Sequence, residues 1–356
     1  MRRIFASIAT LLCVGVASAA QLVVPSDSVV PRRSITNYGV AFYNLENLFD
    51  TINANGKYDL EFSPQGRRQW DSEKYAIKIN NLANAIANMV TYFTQGGPAI
   101  IGVAEIENAS VMTDLVNAAP LKSRGLKFVH HDSPDLRGVD VGLIYDPEQF
   151  EVLSVSNHTL LVDENPDFRT RDQMCVTGLL GGDSLSVIVN HWPSRLGGQQ
   201  ESEPLRMAAA KLTRHIADSL WTLNPALNIV IMGDLNDDPS NRSCAEVVGA
   251  MPEKEDAAPH GFFNPWWRIL DSGRGTLSYR GQWNLFDQIL VSGTLLPPRN
   301  VRGLQYRAAE ILDIEFLKQT SEKYFGQPWR TFAGGRFLGG YSDHFPTQVI
   351  LYKLSN

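Results

Sequence analysis

A series of short apolar runs, too short for ordinary helices and bordered by acids, amides or imidazoles, constrains this chain more than any other feature. Ala99–Ala104 is apolar at nearly every position and ends at Glu105, the signature of a strand covered on both faces rather than one. Tyr38–Leu45, Val139–Tyr145, Leu185–Val189, Asn228–Met232, Leu285–Val291 and Pro346–Tyr352 read the same way. Between them lie two stretches of helical period. One starts at Ser72, with Tyr75, Ile79, Leu82, Ile86, Met89, Val90 and Phe93 recurring every three or four residues, Asp71 or Ser72 as cap and Gly96-Gly97-Pro98 as the stop. The other carries Leu205, Ala208, Ala209, Leu212, Ile216 and Leu220. Residues 50–70 mix Asn, Gly, Asp, Pro and Arg and read as a long surface loop. Strands outnumber helices and several are separated only by turns. The expected fold is therefore α/β, a four-layer α/β/β/α sandwich with two mixed central sheets, rather than a doubly wound parallel sheet. No linker-like shift in composition divides residues 21–356, which read as one domain.

The first twenty residues order Arg2 and Arg3, an apolar stretch from Ile4 to Val16 and the run Ala17-Ser18-Ala19-Ala20, the layout of a cleavable secretory signal. Leu11-Leu12 before Cys13 lack the small residue expected for lipid attachment. No later stretch reaches the ~18–20 apolar residues of a membrane helix. A secreted or periplasmic protein, monomeric and without a transmembrane segment, is expected. The formal charge of −6 becomes more negative once two arginines leave with the signal, which disfavours loose binding to nucleic acid unless a local basic rim or a metal supplies the attraction. Cys175 and Cys244 leave open one disulfide or two buried thiols.

The polar residues at the run ends set the chemistry. Asn44 and Glu46 follow the first strand, Glu105 the second, Asn190-His191 another and Asp234-Leu235-Asn236 the next, while Asp343-His344 precedes the last. Singly, each has an ordinary reading: turn residues for Asn44 and Glu46, a structural ion pair for Glu105, a tight loop at 233–239, packed histidines at 191 and 344. Together, at five strand termini, they read as one cleft. Carboxylates and amide oxygens without a thiolate cluster suit Mg²⁺ or Mn²⁺, with Ca²⁺ as an alternative, better than structural zinc. Such a cation serves phosphoryl chemistry, a histidine can activate water, and Arg137, Arg171 and Arg195 are candidates to grip phosphate.

Tyr43–Asp50, Ile101–Glu105, Asn190–Ser194, Gly233–Asp237 and Ser342–Pro346, in that order along the chain, resemble the endonuclease/exonuclease/phosphatase superfamily over roughly Tyr38 to Leu351. The resemblance implies a DNase-like sandwich and a metal-dependent phosphoric ester hydrolase. It makes Glu105 the principal metal ligand, with Glu46 and Asp343 as further metal-side carboxylates and Asn44 holding phosphate or metal-bound water. It gives Asp234 the water nucleophile, Asn236 the phosphoryl oxygens, His344 and His191 the acid–base work, and Asp287 the orientation of His344. Arg137 and Arg171 fall near phosphate-contact segments. A phosphodiester substrate is implied, with nucleic acid leading. The alternatives are a lipid or small phosphoester and, in another class, a binding protein that lost the chemistry. Phe262-Phe263-Asn264-Pro265-Trp266-Trp267 could serve a lipid surface, stack on bases or pack as core.

Overall fold

The apolar runs become strands because both of their faces find cover. The computed structural model describes residues 34–52, 61–297 and 302–354; the expected signal segment lies outside them, as does part of the 50–70 loop. In chain order come β1 (Ile35–Leu48), α1 (Ser72–Ala87), β2 (Ile100–Ile106), α2 (Ala109–Asn117), β3 (Lys127–His130), β4 (Asp140–Tyr145), β5 (Phe150–His158), β6 (Gln173–Leu180) and β7 (Asp183–His191). There follow α3 (Gln199–Leu223), β8 (Asn228–Asp234), β9 (Ala250–Met251), β10 (Phe262–Phe263) and α4 (Trp266–Asp271). The chain then forms the hairpin β11 (Leu277–Tyr279) and β12 (Gln282–Asn284), β13 (Asp287–Ser292), β14 (Gln305–Ile311), the hairpin β15 (Phe332–Ala333) and β16 (Arg336–Phe337), and β17 (Thr347–Leu354).

Among the described residues, one six-stranded sheet runs β14-β17-β1-β2-β4-β3 and one seven-stranded sheet runs β5-β6-β7-β8-β13-β10-β9. Both are mixed: β1 pairs parallel with β2 and antiparallel with β17, and β7 pairs parallel with β8 while β13 meets β8 antiparallel. Strand β8 explains the continuous apolar pattern. Its Val230 and Met232 enter the central core with Val40, Phe42 and Val103 of the first sheet, and Ile229 and Ile231 pack with Ala209, Ala210 and Ile216 of α3. Alternate side chains of a strand point to opposite faces, so both must be apolar here. On the first sheet, Leu82 and Ile86 of α1 and Val111 and Leu115 of α2 supply the other cover. Each fully buried side chain of this kind contributes ~1.5–3 kcal/mol. The result is the expected α/β/β/α sandwich.

One expectation changes, and one alternative left open is decided. Helix α1 ends at Ala87 rather than at Gly96, because Asn88 turns its own side chain back on the Asn84 carbonyl at 2.8 Å and Thr91 Oγ1 then accepts the N–H groups of Phe93 and Thr94. Side chains that bond nearby backbone in this way compete with helix. Cys175 and Cys244 are both free and buried.

Candidate active site

The strand ends do not simply run out; they break in a controlled way. Strands β1 and β2 stay in register to the Asn44–Ala104 pair, then shift before Leu48 and Ile106, and β2 slips against β4 at the same point. At the break Glu46, Asn47 and Glu105 take φ angles of 51°, 51° and 62°, a left-handed region that residues other than glycine rarely enter. The break lets Glu105 Oε2 accept the Asn47 N–H at 2.8 Å. Bulges beside functional sites re-aim side chains in this fashion. In the second sheet the register itself assembles the site. His191, Asp234 and Asp287 are direct neighbours on β7, β8 and β13. Gly233 makes this close approach: a Cβ there would meet the Asn190 carbonyl oxygen at 2.2 Å, and its φ is 155°.

Asp234 sits at the centre. Its Oδ2 accepts from Asn44 Nδ2 at 3.0 Å and lies 3.7 Å from His191 Nε2 and 3.9 Å from His344 Nε2; its Oδ1 accepts the Asn236 N–H at 3.0 Å. Glu105 Oε1 stands 3.9 Å from His191 Nε2 and 3.9 Å from an Arg137 terminal nitrogen. His344 Nδ1 meets Asp287 Oδ2 at 2.7 Å, and Thr276 Oγ1 donates to the same oxygen. Asn236 donates its amide to the Trp192 carbonyl at 2.9 Å.

The two imidazoles are driven apart. Burial, the Arg171 and Arg137 charges and His344 hold His191 well below the usual histidine range. Burial also acts to lower His344, but the Asp287 carboxylate, through charge and hydrogen bond, with Asp343 and Asp234 behind it, raises it well above that range. Burial lifts Asp234 to about 6, against the pull of His344. A neutral and a protonated imidazole therefore flank one carboxylate. Environments that separate titratable groups in this way define acid and base roles. The Nδ1 of His191 and the Oδ1 of Asp287 are buried without a hydrogen-bond partner.

Glu46 and Asp343 line an adjoining pocket of about 250 Å³ together with Asn47, Arg68 and Arg330. Glu46 Oε2 accepts the Thr331 N–H at 2.6 Å and lies 3.8 Å from the ammonium of Lys78. Burial, then Asp343, pushes Glu46 up to about 7, against Lys78 and Thr331. Asp343 is 3.8 Å from His344 Nε2 and 3.5 Å from Arg330. Glu46 and Asp343 line this pocket, and Glu105 reaches its wall through the Asn47 N–H. Carboxylate oxygens of this kind suit a hard divalent cation, but among the described residues Glu46, Asp343 and Glu105 do not gather their ligand atoms into one close group, whereas Asp234, Asp287 and His344 present theirs within 4.8 Å of one another. Because Asp287 and His344 are already bonded to each other, that trio reads better as a proton relay than as a cage.

Not every expected residue reaches the cleft. Arg137 does, half exposed beside Glu105. Arg171 is buried beneath it, spending its terminal nitrogens on Asp135 at 3.2 Å and the Trp192 carbonyl at 2.7 Å, which makes it a support for His191 and Asn236 rather than a free grip on phosphate. Arg195 likewise pins the loop after β8: it donates to the Asn236 carbonyl at 2.8 Å and pairs with Asp237 at 3.2 Å. The segment Phe262–Trp266 is buried and belongs to the core. Three supports carried no functional reading in the sequence. Lys78, fully buried on α1 and donating to Thr331 Oγ1 at 2.6 Å, was detectable as a charge on the apolar stripe, one turn before Leu82. Arg206, fully buried on α3, pairs with Asp237 at 2.8 Å. Asp135 stands 3.9 Å from Arg137 while holding Arg171.

Residues 39–353 match the profile of the Endonuclease/Exonuclease/phosphatase family. No curated protein matches the chain. Among solved structures, humanized D. rerio TDP2 carrying 14 mutations is 14% identical, with a TM-score of 0.54 over 88% of this chain and 98% of that one. A Bacteroides thetaiotaomicron mannosyl-6-phosphatase is 18% identical, with a TM-score of 0.52 over 88% and 99%. D. rerio TDP2 complexed with single strand DNA product is 15% identical, with a TM-score of 0.51 over 88% and 98%. At these identities the likeness is one of fold. No helix among the described residues is long and apolar enough to cross a membrane.

Proposed function

The chain belongs to the endonuclease/exonuclease/phosphatase family, whose members are phosphoric ester hydrolases, and on that premise we propose that it is a divalent-metal-dependent phosphodiesterase acting on nucleic acid, exported by its leader segment. The observation that carries the reading is the pair of oppositely driven imidazoles on either side of Asp234. Water lying against Asp234 and neutral His191 would lose its proton to this pair as it attacks phosphorus in line. Protonated His344, oriented by Asp287, would give a proton to a phosphoryl or leaving oxygen. Each such transfer contributes ~10²–10⁴ in rate. Asn44 and Asn236 fix the Asp234 carboxylate, and Arg137 faces the phosphate side of Glu105. Glu105, Glu46 and Asp343 would hold Mg²⁺ or Mn²⁺, which supplies charge neutralisation at the phosphoryl oxygens when bound.

The alternative of a lipid phosphodiesterase loses the aromatic segment it relied on, since Phe262–Trp266 is core. A binding protein that had lost the chemistry has no reason to keep the two imidazoles so differently charged around one acid. The test is hydrolysis of plasmid DNA, RNA and bis-p-nitrophenyl phosphate side by side, with and without Mg²⁺ or Mn²⁺ and with Asp234→Ala as control. Metal-dependent DNA or RNA cleavage that the variant loses supports the proposal. Turnover of the small diester alone moves the substrate to another phosphoester, and no turnover of any substrate overturns the reading.

A further inference from the structure

Beside the catalytic cleft runs a groove of about 950 Å³ that no step of the reaction uses. It adjoins the pocket of Glu46 and Asp343, with Arg330 and Gly334 lining both. Three aromatic–basic neighbours in sequence line it: Tyr279-Arg280 at the turn of the β11–β12 hairpin, Lys323-Tyr324 and Trp329-Arg330. The rings are open, with Tyr279 63%, Tyr324 39% and Trp329 37% exposed. Cation and ring sit together, Arg280 at 5.2 Å from the Tyr279 centroid and Lys323 at 5.1 Å from that of Tyr324. Arg336 on the β15–β16 hairpin adds a fourth cation.

Among the described residues no carboxylate lines this groove, in a chain whose formal charge is −6. The nearby Asp313 and Glu315 line the neighbouring pocket and are paired with Arg274 and Lys318. A concentration of one sign in a concave wall focuses a field that the rest of the molecule opposes. Its occupant is then an anion, and three exposed rings with four cations spread along one groove are more than one phosphorylated sugar can use. Rings set in the wall of a groove cannot lie flat in a membrane interface, and they can stack only on bases that are free of a duplex.

We propose that this groove holds the unpaired strand of a polynucleotide beyond the scissile phosphate. Bases stack on Tyr279, Tyr324 and Trp329, backbone phosphates meet Arg280, Lys323 and Arg336, and Arg330 stands at the junction with the cleft. The inference rests on the phosphodiesterase reading for the direction of the strand, but binding can be tested apart from hydrolysis.

The experiment is fluorescence anisotropy of the whole protein with a phosphorothioate-linked, fluorescein-labelled single strand of about 12 nucleotides, within the range of single-strand sites. A labelled dinucleotide, a fully paired hairpin and anionic phosphatidylglycerol vesicles are the comparators. The strand is expected to bind most tightly. Tyr279→Ala with Tyr324→Ala is expected to weaken it by roughly tenfold or more per ring, and the pair Tyr279→Trp with Tyr324→Trp to restore it. Arg280→Gln with Arg336→Gln is expected to flatten the dependence of log K on log salt by about 0.7 for each phosphate that is no longer neutralised. Equal affinity for strand and dinucleotide, equal affinity of the ring variants, or capture of vesicles without the strand overturns the groove assignment. Bis-p-nitrophenyl phosphate hydrolysis by the unaltered protein keeps the two claims apart. Turnover without strand binding defeats the groove alone, whereas strand binding without turnover defeats the proposed reaction and leaves the groove standing.

Discussion

Asn44 Nδ2 donates to Asp234 Oδ2 at 3.0 Å, a bond between residues 190 apart that joins the end of β1 in one sheet to the end of β8 in the other. The Asn44 Oδ1 accepts the Glu46 N–H at 2.9 Å, so one amide fixes both halves of the cleft. Asn44→Ala is expected to lower kcat by about 10²-fold or more, the scale for losing a preorganised donor. It should also cost roughly 1–3 kcal/mol of stability, because Asp234 loses a buried partner. Kinetics and urea unfolding of the same preparation measure the two effects separately.

Asp287→Asn tests the relay. His344 is held well above its ordinary range by Asp287, so a raised folded-state pKa keeps it protonated until the pH rises through that value. Removing the charge should move the basic limb of the kcat/KM profile toward lower pH, with activity at neutral pH down by about 10²-fold or more. A profile that keeps its basic limb in place would assign the proton elsewhere.

Glu46 links pH to metal. Its folded-state pKa of about 7 lies above the 4.5 of a free glutamate, so the metal-free protein keeps its full stability from this group below about pH 4.5. That contribution is lost as pH rises through 7. Mg²⁺ needs the ionised carboxylate. Thermal unfolding should therefore show a larger Mg²⁺-induced rise in Tm above pH 7 than well below it, and Glu46→Gln should erase the difference.

Arg206→Met probes the loop after β8. Arg206 is fully buried and 2.8 Å from Asp237, which Ser243 also bonds at 2.6 Å. Removing the cation leaves a buried carboxylate that Arg195 compensates only from the partly exposed side. The loss should be about 3–5 kcal/mol, toward the lower figure, by chemical denaturation.

The two buried thiols should be silent in the native state. Burial pushes Cys175 up to about 11 and Cys244 higher still. A thiol-reactive dye should label neither until the chain is unfolded, and a reductant should leave Tm unchanged, since neither cysteine is in a disulfide.

What was legible in the sequence is what burial on two faces imposes. Runs such as Ala99–Ala104 and Ile229–Met232 have no polar position to spare, so their strands and the acids that end them stand out. The edge strands did not: β5, with residues such as Glu151, Ser154 and Ser156 exposed, carries no continuous apolar signal, and β14 is half polar for the same reason. Among the candidate site residues, those at strand ends were readable because a buried strand fixes where its last residue lies. The roles of Arg171 and Arg195 were not, since exposure decides whether an arginine grips a ligand or props a loop, and a one-dimensional pattern holds no measure of exposure for a lone cation. Lys78 sits between these cases, visible as a breach of the apolar stripe but meaningless until Glu46 is beside it.

Strand β17 lies between β14 and β1, and His344 stands just ahead of it, separated by Phe345 and Pro346. A ribosome delivers this strand after every other one described, yet it occupies an interior position of its sheet. The link from β14 to β1 needs β17, and the bond to Asp287 needs His344, so both wait for the last segment described. The cleft between the two sheets is therefore complete only when this last strand is in place, and Asp343 and His344 arrive together just ahead of it.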